Sequence, residues 1–183
     1  PIGHYYLEEI LNDKLISNKN LQEYNKTIVV STQNDVEDKL LEIIDRIASK
    51  KPNIVFLIKC RSHKKISFKM KNVKIEKNKD IYKLIKNADL HISCYSTVAL
   101  EASMLGTPSI LININNMANL YYKSLCEKFT NIKICESDAE IIDLIDNWVV
   151  SNDFDKPYAI NNKHNIKQFL NDYINNENSV HIS

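Results

Sequence analysis

Two apolar stretches decide the fold of this chain: Thr27-Ile-Val-Val-Ser-Thr32 and Asn53-Ile-Val-Phe-Leu-Ile-Lys-Cys60. The first is a β-branched run too short for a helix, and the second is apolar at consecutive positions, as in a strand covered on both faces. Between them, apolar residues recur at helical spacing over residues 36–47, Asp35 can cap the helix, and Lys51-Pro52 ends it. The segment therefore predicts a β-α-β unit.

The alternation of strands and helices continues along the chain. Further strands are predicted at residues 73–76, 90–94, 109–112 and 132–135, and helices at residues 80–87, 96–105, 120–129 and 137–150. This order predicts an α/β fold over residues 27–150, a Rossmann-like open parallel sheet with helices on both faces. Residues 1–26 are expected to lead in from an N-terminal domain, with a helix over residues 7–15. Residues 151–183 are expected to form a helical tail, with a helix over residues 165–174.

Composition excludes several classes of function. The 183 residues carry 24 Lys and Arg against 23 Asp and Glu, which argues against a disordered chain and against bulk nucleic-acid binding. Gly3 and Gly106 are the only glycines, so a P-loop, a GxGxxG fingerprint and a GxSxG nucleophile elbow are all excluded. Any phosphate must therefore be held without a glycine-rich loop.

The cysteines and the start of the chain bear on its location. The four cysteines form no CxxC pair and no zinc-site spacing, so we expect free thiols in a reducing cytoplasm and no bound metal. The chain begins at Pro1 without an initiator methionine or a signal-peptide core, so we expect a piece of a longer cytoplasmic protein. Contact with a membrane is expected only at its inner face, through the missing part.

Ligands of an open parallel sheet bind outside the carboxyl ends of its strands. Three segments follow predicted strands there: residues 59–65, 95–101 and 113–119. The third is rich in asparagine, whose amides can read sugar hydroxyls. Asparagine is abundant throughout this chain, however, so composition explains the cluster and we do not assign it as a site.

The second segment carries the strongest signal. Ser96 or Thr97 at a helix start offers a hydroxyl and backbone N–H groups, which can hold a phosphate without glycine. Glu101 lies about one turn into the same helix, where its carboxylate can accept hydrogen bonds from two sugar hydroxyls. The alternative is that Ser96 only caps the helix and Glu101 is a solvated helix residue.

Residues 88–112 contain the stretches Ala88-Asp-Leu-His-Ile-Ser, Tyr-Ser-Thr-Val-Ala-Leu-Glu-Ala and Leu-Gly-Thr-Pro. This segment resembles the nucleotide-sugar-binding core of GT-B glycosyltransferases. The shared pattern is an Ala-Asp strand, a Ser/Thr-rich turn, a helix carrying Glu-Ala, and Leu-Gly-x-Pro before the next strand. The resemblance implies that Ser96 and Thr97 contact the donor phosphates and that Glu101 binds the ribose. Gly106 would form the tight turn that ends the helix.

A further nucleotide contact is implied after the second strand. In the sialyltransferase-like and surface-polysaccharide branches of these enzymes a His-Pro motif follows that strand, whereas here His63 is followed by Lys64. His63 and Arg61 can donate to phosphate or base, since the arginine fork suits phosphate. The alternative is a solvated basic loop. His91, inside the fourth predicted strand, is expected in the core.

The resemblance implies the C-terminal half of a GT-B enzyme, the domain that binds a nucleotide-sugar donor for transfer to a glycan, polysaccharide or lipid-linked acceptor. The catalytic base is then expected in a missing N-terminal domain, so no catalytic residue is assigned. No cofactor beyond the donor substrate and no nucleic-acid partner is expected. Two alternatives remain open: half of a non-hydrolysing nucleotide-sugar epimerase, and a non-catalytic α/β interaction domain.

Overall fold

A six-stranded, all-parallel sheet forms the centre of the molecule. The computed structural model describes residues 23–62, 66–127 and 129–148, together with Leu7, Glu9 and Ile10. The strands are β1 (Lys26–Ser31), β2 (Ile54–Lys59), β3 (Val73–Ile75), β4 (Leu90–Ser93), β5 (Ser109–Ile112) and β6 (Ile132–Cys135). Their order in the sheet is β3-β2-β1-β4-β5-β6, and every neighbouring pair is parallel. The predicted Rossmann-like α/β class is confirmed.

Helices cover both faces of this sheet. They are α1 (Glu37–Lys50), α2 (Ile81–Lys86), α3 (Val98–Met104), α4 (Met117–Cys126) and α5 (Asp138–Asn147). Helices α1 and α5 pack on one face, against Ile28 and Val30 of β1, and α2, α3 and α4 pack on the other, which receives Val29. Burial of each such side chain contributes about 1.5–3 kcal/mol, which explains why the central strands are apolar at consecutive positions.

Helix α3 ends as its sequence predicts. Gly106 takes a φ of 84°, a left-handed conformation that only glycine adopts without steric cost. Its N–H donates to Ser103 O over 3.1 Å, and the Thr107 N–H donates to Ala102 O over 2.9 Å. These two bonds satisfy the last carbonyls of the helix in a Schellman motif. The chain thereby reverses after α3 and enters β5 at Ser109.

The beginning of α1 differs from the prediction. Asp35 does not cap this helix: the N-cap residue is Val36, and no side chain caps the helix there. The Asp35 carboxylate instead accepts a hydrogen bond from the hydroxyl of Tyr95. The expected cap was wrong because a partner 60 residues away along the chain competes for the same carboxylate.

Part of the predicted lead-in segment packs on the sheet. Leu7 and Ile10 are helical and buried in the cluster formed with α2 and α3, and Ile10 O accepts a hydrogen bond from Lys86 Nζ over 2.6 Å. The rest of the helix predicted over residues 7–15 lies outside the described residues, as does the tail predicted over residues 151–183. Among the described helices, none is long and apolar enough to cross a bilayer.

His91 is buried in the sheet, as expected. Its Nε2 lies 2.8 Å from Ser31 Oγ on β1, and its Nδ1 lies 3.0 Å from Ser109 Oγ on β5. Burial lowers the pKa of His91 to about 3, so the ring is neutral at physiological pH. One neutral imidazole thus ties three adjacent strands together.

We expect His91 to make the stability of the fold depend on pH. The unfolded imidazole has a pKa of 6.5 and the folded one of about 3, so between these values the unfolded chain binds the extra proton. The stabilisation is present above pH 6.5 and is lost as the pH falls towards 3. Between pH 7 and pH 4 the wild type should lose about 3 kcal/mol more than His91→Gln, which does not titrate. Urea unfolding of both proteins checks this, and parallel pH profiles would contradict it.

Candidate functional site

The strand order reverses at β1, because β2 lies on one side of it and β4 on the other. Helix α1, which follows β1, and helix α3, which follows β4, lie on opposite faces of the sheet. The loops after β1 and β4 therefore diverge at the carboxyl edge. Open α/β sheets bind their ligands at this switch point. The candidate site is therefore the edge formed by the loops after β1, β2 and β4.

The loops after β1 and β4 are joined across the switch point. Gln33, which is buried, donates from Nε2 to Ser93 Oγ over 2.9 Å and accepts from the Cys94 N–H over 3.4 Å. The Tyr95 hydroxyl donates to the Asp35 carboxylate in a second bridge. Neither bridge was predicted, since nothing local in the sequence marks Gln33 or Asp35 as a partner of the β4 loop. These contacts hold the loops after β1 and β4 together at the switch point.

Tyr95 also forms an aromatic surface at this edge. The hydrogen bond to Asp35, together with burial and the Asp35 charge, raises the pKa of Tyr95 to about 12. Its ring stacks on that of Tyr121 from α4, with centroids 5.6 Å apart and an interplanar angle of 25°. Tyr121 is 55% exposed and the neighbouring Leu120 is 69% exposed. An exposed apolar surface therefore lies beside Tyr95 at this edge of the sheet.

The loop after β2 places Arg61 at the same edge. Its side chain is exposed, and its backbone N–H donates to Thr32 Oγ1 over 2.9 Å, so the β2 loop is joined to the β1 loop. Arg61 and the Ser96–Thr97 turn therefore lie on the two sides of the β1 loop. His63 lies outside the described residues.

Ser96 and Thr97 stand where the sequence predicts, directly before α3. Ser96 is half-buried, and its Oγ accepts from the Val98 N–H over 3.3 Å. Thr97 is the N-cap residue of α3, yet its side chain makes no capping hydrogen bond and is exposed. The alternative of capping therefore describes Ser96 and does not describe Thr97.

Glu101 lies one turn further along α3, and its N–H donates to Thr97 O over 3.3 Å. Its side chain is half-buried, so it is not a fully solvated helix residue. Burial and then the charge of Glu101 raise the pKa of Tyr122 on α4 to about 12. The Glu101 carboxylate is therefore close enough to α4 to act on this phenol.

The asparagine-rich turn after β5 is an ordered network, which composition alone did not predict. Asn113 donates to both oxygens of Glu136 over 2.8 and 2.9 Å, and Asn119 donates to Glu136 Oε1 over 2.8 Å. Asn115 and Asn116 take φ values of 53° and 62°, a conformation that asparagine tolerates better than most residues. The side-chain amides and Glu136 thus form a hydrogen-bond network at the carboxyl edge of the sheet, after β5.

Potential metal ligands and thiols complete the description. No group of three His, Cys, Asp or Glu side chains able to hold a metal ion occurs within residues 23–62, 66–127 and 129–148. All four cysteines are free, with Cys94 and Cys135 buried and Cys60 and Cys126 half-buried. Burial raises the pKa of Cys60 to about 11, and the charge of Glu37 contributes.

Solved structures share this fold at low sequence identity. A UDP-GlcNAc 2-epimerase from Methanocaldococcus jannaschii, in complex with UDP-GlcNAc and UDP, has a TM-score of 0.60 and 15% identity over 93% of this chain and 54% of its own. The kitacinnamycin glycotransferase has a TM-score of 0.56 and 10% identity, covering 72% of this chain and 36% of its own. A spinosyn rhamnosyltransferase complexed with thymidine diphosphate has a TM-score of 0.55 and 13% identity, covering 74% and 40%.

These likenesses confirm the resemblance to glycosyltransferases at the level of the fold. The chain spans between 36% and 54% of the length of these three structures. No functionally curated protein matches it. The family described as protein of unknown function (DUF354) matches residues 3–177, so the chain belongs to that family.

The bridge between Asp35 and Tyr95 predicts a measurable titration. Asp35→Asn removes the charge that disfavours the phenolate, so the pKa of Tyr95 should fall from about 12 towards its ordinary value of 10.0. Tyrosine-labelled protein followed by carbon NMR, with Tyr95→Phe to assign the signal, checks this at a pH of about 10.5. The signal of Tyr122, whose pKa is raised by burial, serves as the internal control. A Tyr95 signal that titrates alike in wild type and variant would contradict the bridge.

Proposed function

We propose that this member of the DUF354 family binds a nucleotide-sugar at the carboxyl edge of its sheet, as the donor-binding domain of a glycosyltransferase of the GT-B fold. The observation that carries the proposal is the strand order β3-β2-β1-β4-β5-β6, with polar loops converging where that order reverses. The likeness to structures that hold UDP and thymidine diphosphate supports a nucleotide as the ligand.

The proposed roles follow from the chemistry of the loops. The exposed Thr97 hydroxyl and the neighbouring Ser96 bind the diphosphate, where hydrogen bonds to a charged acceptor are strongest. Arg61 offsets part of the phosphate charge from the other side of the β1 loop, and His63 is assigned to the same role. Glu101 accepts hydrogen bonds from the ribose hydroxyls.

The remaining partners are proposals of the same kind. The chain spans about half or less of the compared structures, so we assign the acceptor site and the catalytic base to a further N-terminal domain. The acceptor would be a glycan, a surface polysaccharide or a lipid-linked sugar, handled on the cytoplasmic side. The sialyltransferase-like and surface-polysaccharide branches are the ones to which we assign it.

A second candidate is half of a nucleotide-sugar 2-epimerase. It is favoured by one observation: the match with the archaeal UDP-GlcNAc 2-epimerase covers 93% of this chain, more than the matches with the two glycosyltransferases described above. Both candidates need the same nucleotide site, so nucleotide binding supports them equally. Incubation of the full-length protein with UDP-GlcNAc separates them, because an epimerase releases the 2-epimer without any acceptor.

The first test is a calorimetric titration of the 183-residue chain with UDP, thymidine diphosphate, GDP, CDP and CMP. We expect weak binding of at least one nucleotide and a further loss of about tenfold or more in Thr97→Val, which removes a phosphate-facing hydroxyl at nearly constant volume. Since Thr97 makes no capping bond, the melting temperature should hardly change. Wild-type affinity in the valine variant would remove Thr97 from the site.

The role of Glu101 is tested by Glu101→Gln, with the exposed Glu42→Gln on α1 as the matched control. The amide loses the charge and one acceptor, so nucleotide affinity should fall by about tenfold, while the free energy of unfolding changes by less than about 1 kcal/mol. Affinity and thermal unfolding are measured on the same preparation. A lower melting temperature with wild-type affinity would make Glu101 a structural residue and end the ribose assignment.

A further inference from the structure

Glu37 is a carboxylate buried at the edge of the candidate site. It is the first residue of α1 and only 1% exposed. A carboxylate removed from water is costly unless hydrogen bonds replace those of the solvent. The free energy of this buried carboxylate therefore depends on the donors that surround it.

Donors from two loops converge on this carboxylate. The Thr32 hydroxyl, just after β1, donates to one oxygen, and the Ser62 hydroxyl, after β2, donates to the other. The backbone N–H groups of Arg61 and Ser62 lie near it and help to lower its pKa, and the Arg61 N–H donates to Thr32 Oγ1 over 2.9 Å. Glu37 therefore joins the loops after β1 and β2 at the carboxyl edge.

The balance of forces leaves Glu37 ionised. Burial raises the pKa of its carboxyl, but the hydrogen bonds from Ser62, Thr32 and the two backbone amides outweigh burial and leave the pKa below its ordinary value. The position in the first turn of α1 adds a favourable helix dipole. Glu37 thus remains an anion inside the fold because hydroxyl groups from two loops donate to its carboxylate.

Such an arrangement fixes geometry more than it adds stability. A buried ionic group with its partners is often no more stabilising than an apolar residue of the same size, but it holds its partners in one arrangement. Here the partners include the backbone of Arg61, the residue assigned to the phosphate. Glu37 contacts the loop that carries Arg61 through Ser62 and, by way of Thr32, through the Arg61 backbone.

We propose that Glu37 is a positioning residue: it holds the β2 loop against the β1 loop and so fixes Arg61 at the nucleotide site. This inference rests on the proposed function. The sequence did not indicate this role, because Ser62 lies 25 residues further along the chain and meets Glu37 only in the folded structure.

The positioning role predicts a change in nucleotide affinity opposite to the one that the charge of Glu37 alone would cause. Glu37 is a negative charge near a site proposed to bind phosphate, so its removal should by charge alone tighten nucleotide binding. Positioning predicts the reverse, because Glu37→Gln turns one acceptor into a donor facing other donors and releases the loop. We expect the Kd for the best-bound nucleoside diphosphate to rise about tenfold.

Two measurements on the 183-residue chain test the proposal. The first is amide hydrogen exchange of Arg61 and Ser62 without ligand in wild type, Glu37→Gln and the control Glu42→Gln. Both amides should exchange about tenfold faster in Glu37→Gln alone, because the loop that carries them loses the carboxylate that holds Thr32 and Ser62 together. The second is a double-mutant cycle on nucleotide affinity with Arg61→Ala, in which Glu37→Gln should cost less than about twofold once Arg61 is gone.

The outcomes are separable. Tighter binding by Glu37→Gln, fully additive losses in the cycle, or unchanged exchange at Arg61 and Ser62 would each overturn the positioning role. A wild type that binds no nucleotide would instead overturn the proposed function, while the exchange arm still decides whether Glu37 holds the loop. Should Glu37→Gln not fold, Ser62→Ala removes one donor and keeps the carboxylate, and it should give the same changes at smaller amplitude.

Discussion

The constraint on which the structure depends is that all six strands run parallel. Each strand must be followed by a crossover over one face of the sheet, so every segment that follows a strand begins at the same edge. The reversal of strand order at β1 then sends neighbouring crossovers to opposite faces, and the β1 loop stands between two diverging loops. The hydrogen bonds of Gln33 and Asp35 join this loop to the residues at the end of β4, and those of Glu37 join it to the loop after β2.

Local sequence was enough to predict the fold because its main determinants are local. Consecutive β-branched residues in β1 and the spacing of leucines and isoleucines in α1 specify elements before any tertiary contact is known. The same reasoning placed Ser96 and Thr97 directly before α3 and Glu101 one turn into it, as the structure has them, while their role in binding stays a prediction. It could not find Glu37 or the role of Asp35, whose partners lie 5 to 60 residues away and become neighbours only when the sheet forms.

His91 and Glu37 are both titratable and buried, but His91 is neutral and Glu37 is ionised. His91 is surrounded by neutral hydroxyls, which satisfy its ring without compensating a charge, so burial keeps it neutral. Glu37 is surrounded by hydroxyl and backbone donors, which compensate a negative charge, so it stays ionised. The neutral group joins strands in the interior, and the charged one joins loops at the edge, where an anchored backbone can hold ligand-binding side chains.

The scarcity of glycine accounts for how this edge is built. With Gly3 and Gly106 as the only glycines, left-handed backbone beyond β5 is supplied by Asn115 and Asn116, whose neighbours Asn113 and Asn119 are fixed by Glu136. In the site proposed above, no glycine-rich loop lets the backbone surround a phosphate, so the side chains of Thr97 and Arg61 are assigned to reach it. A site made of reaching side chains depends on how well the loops beneath them are held. If the proposed site is correct, its affinity depends on buried contacts such as those of Glu37 as well as on the groups that touch the ligand.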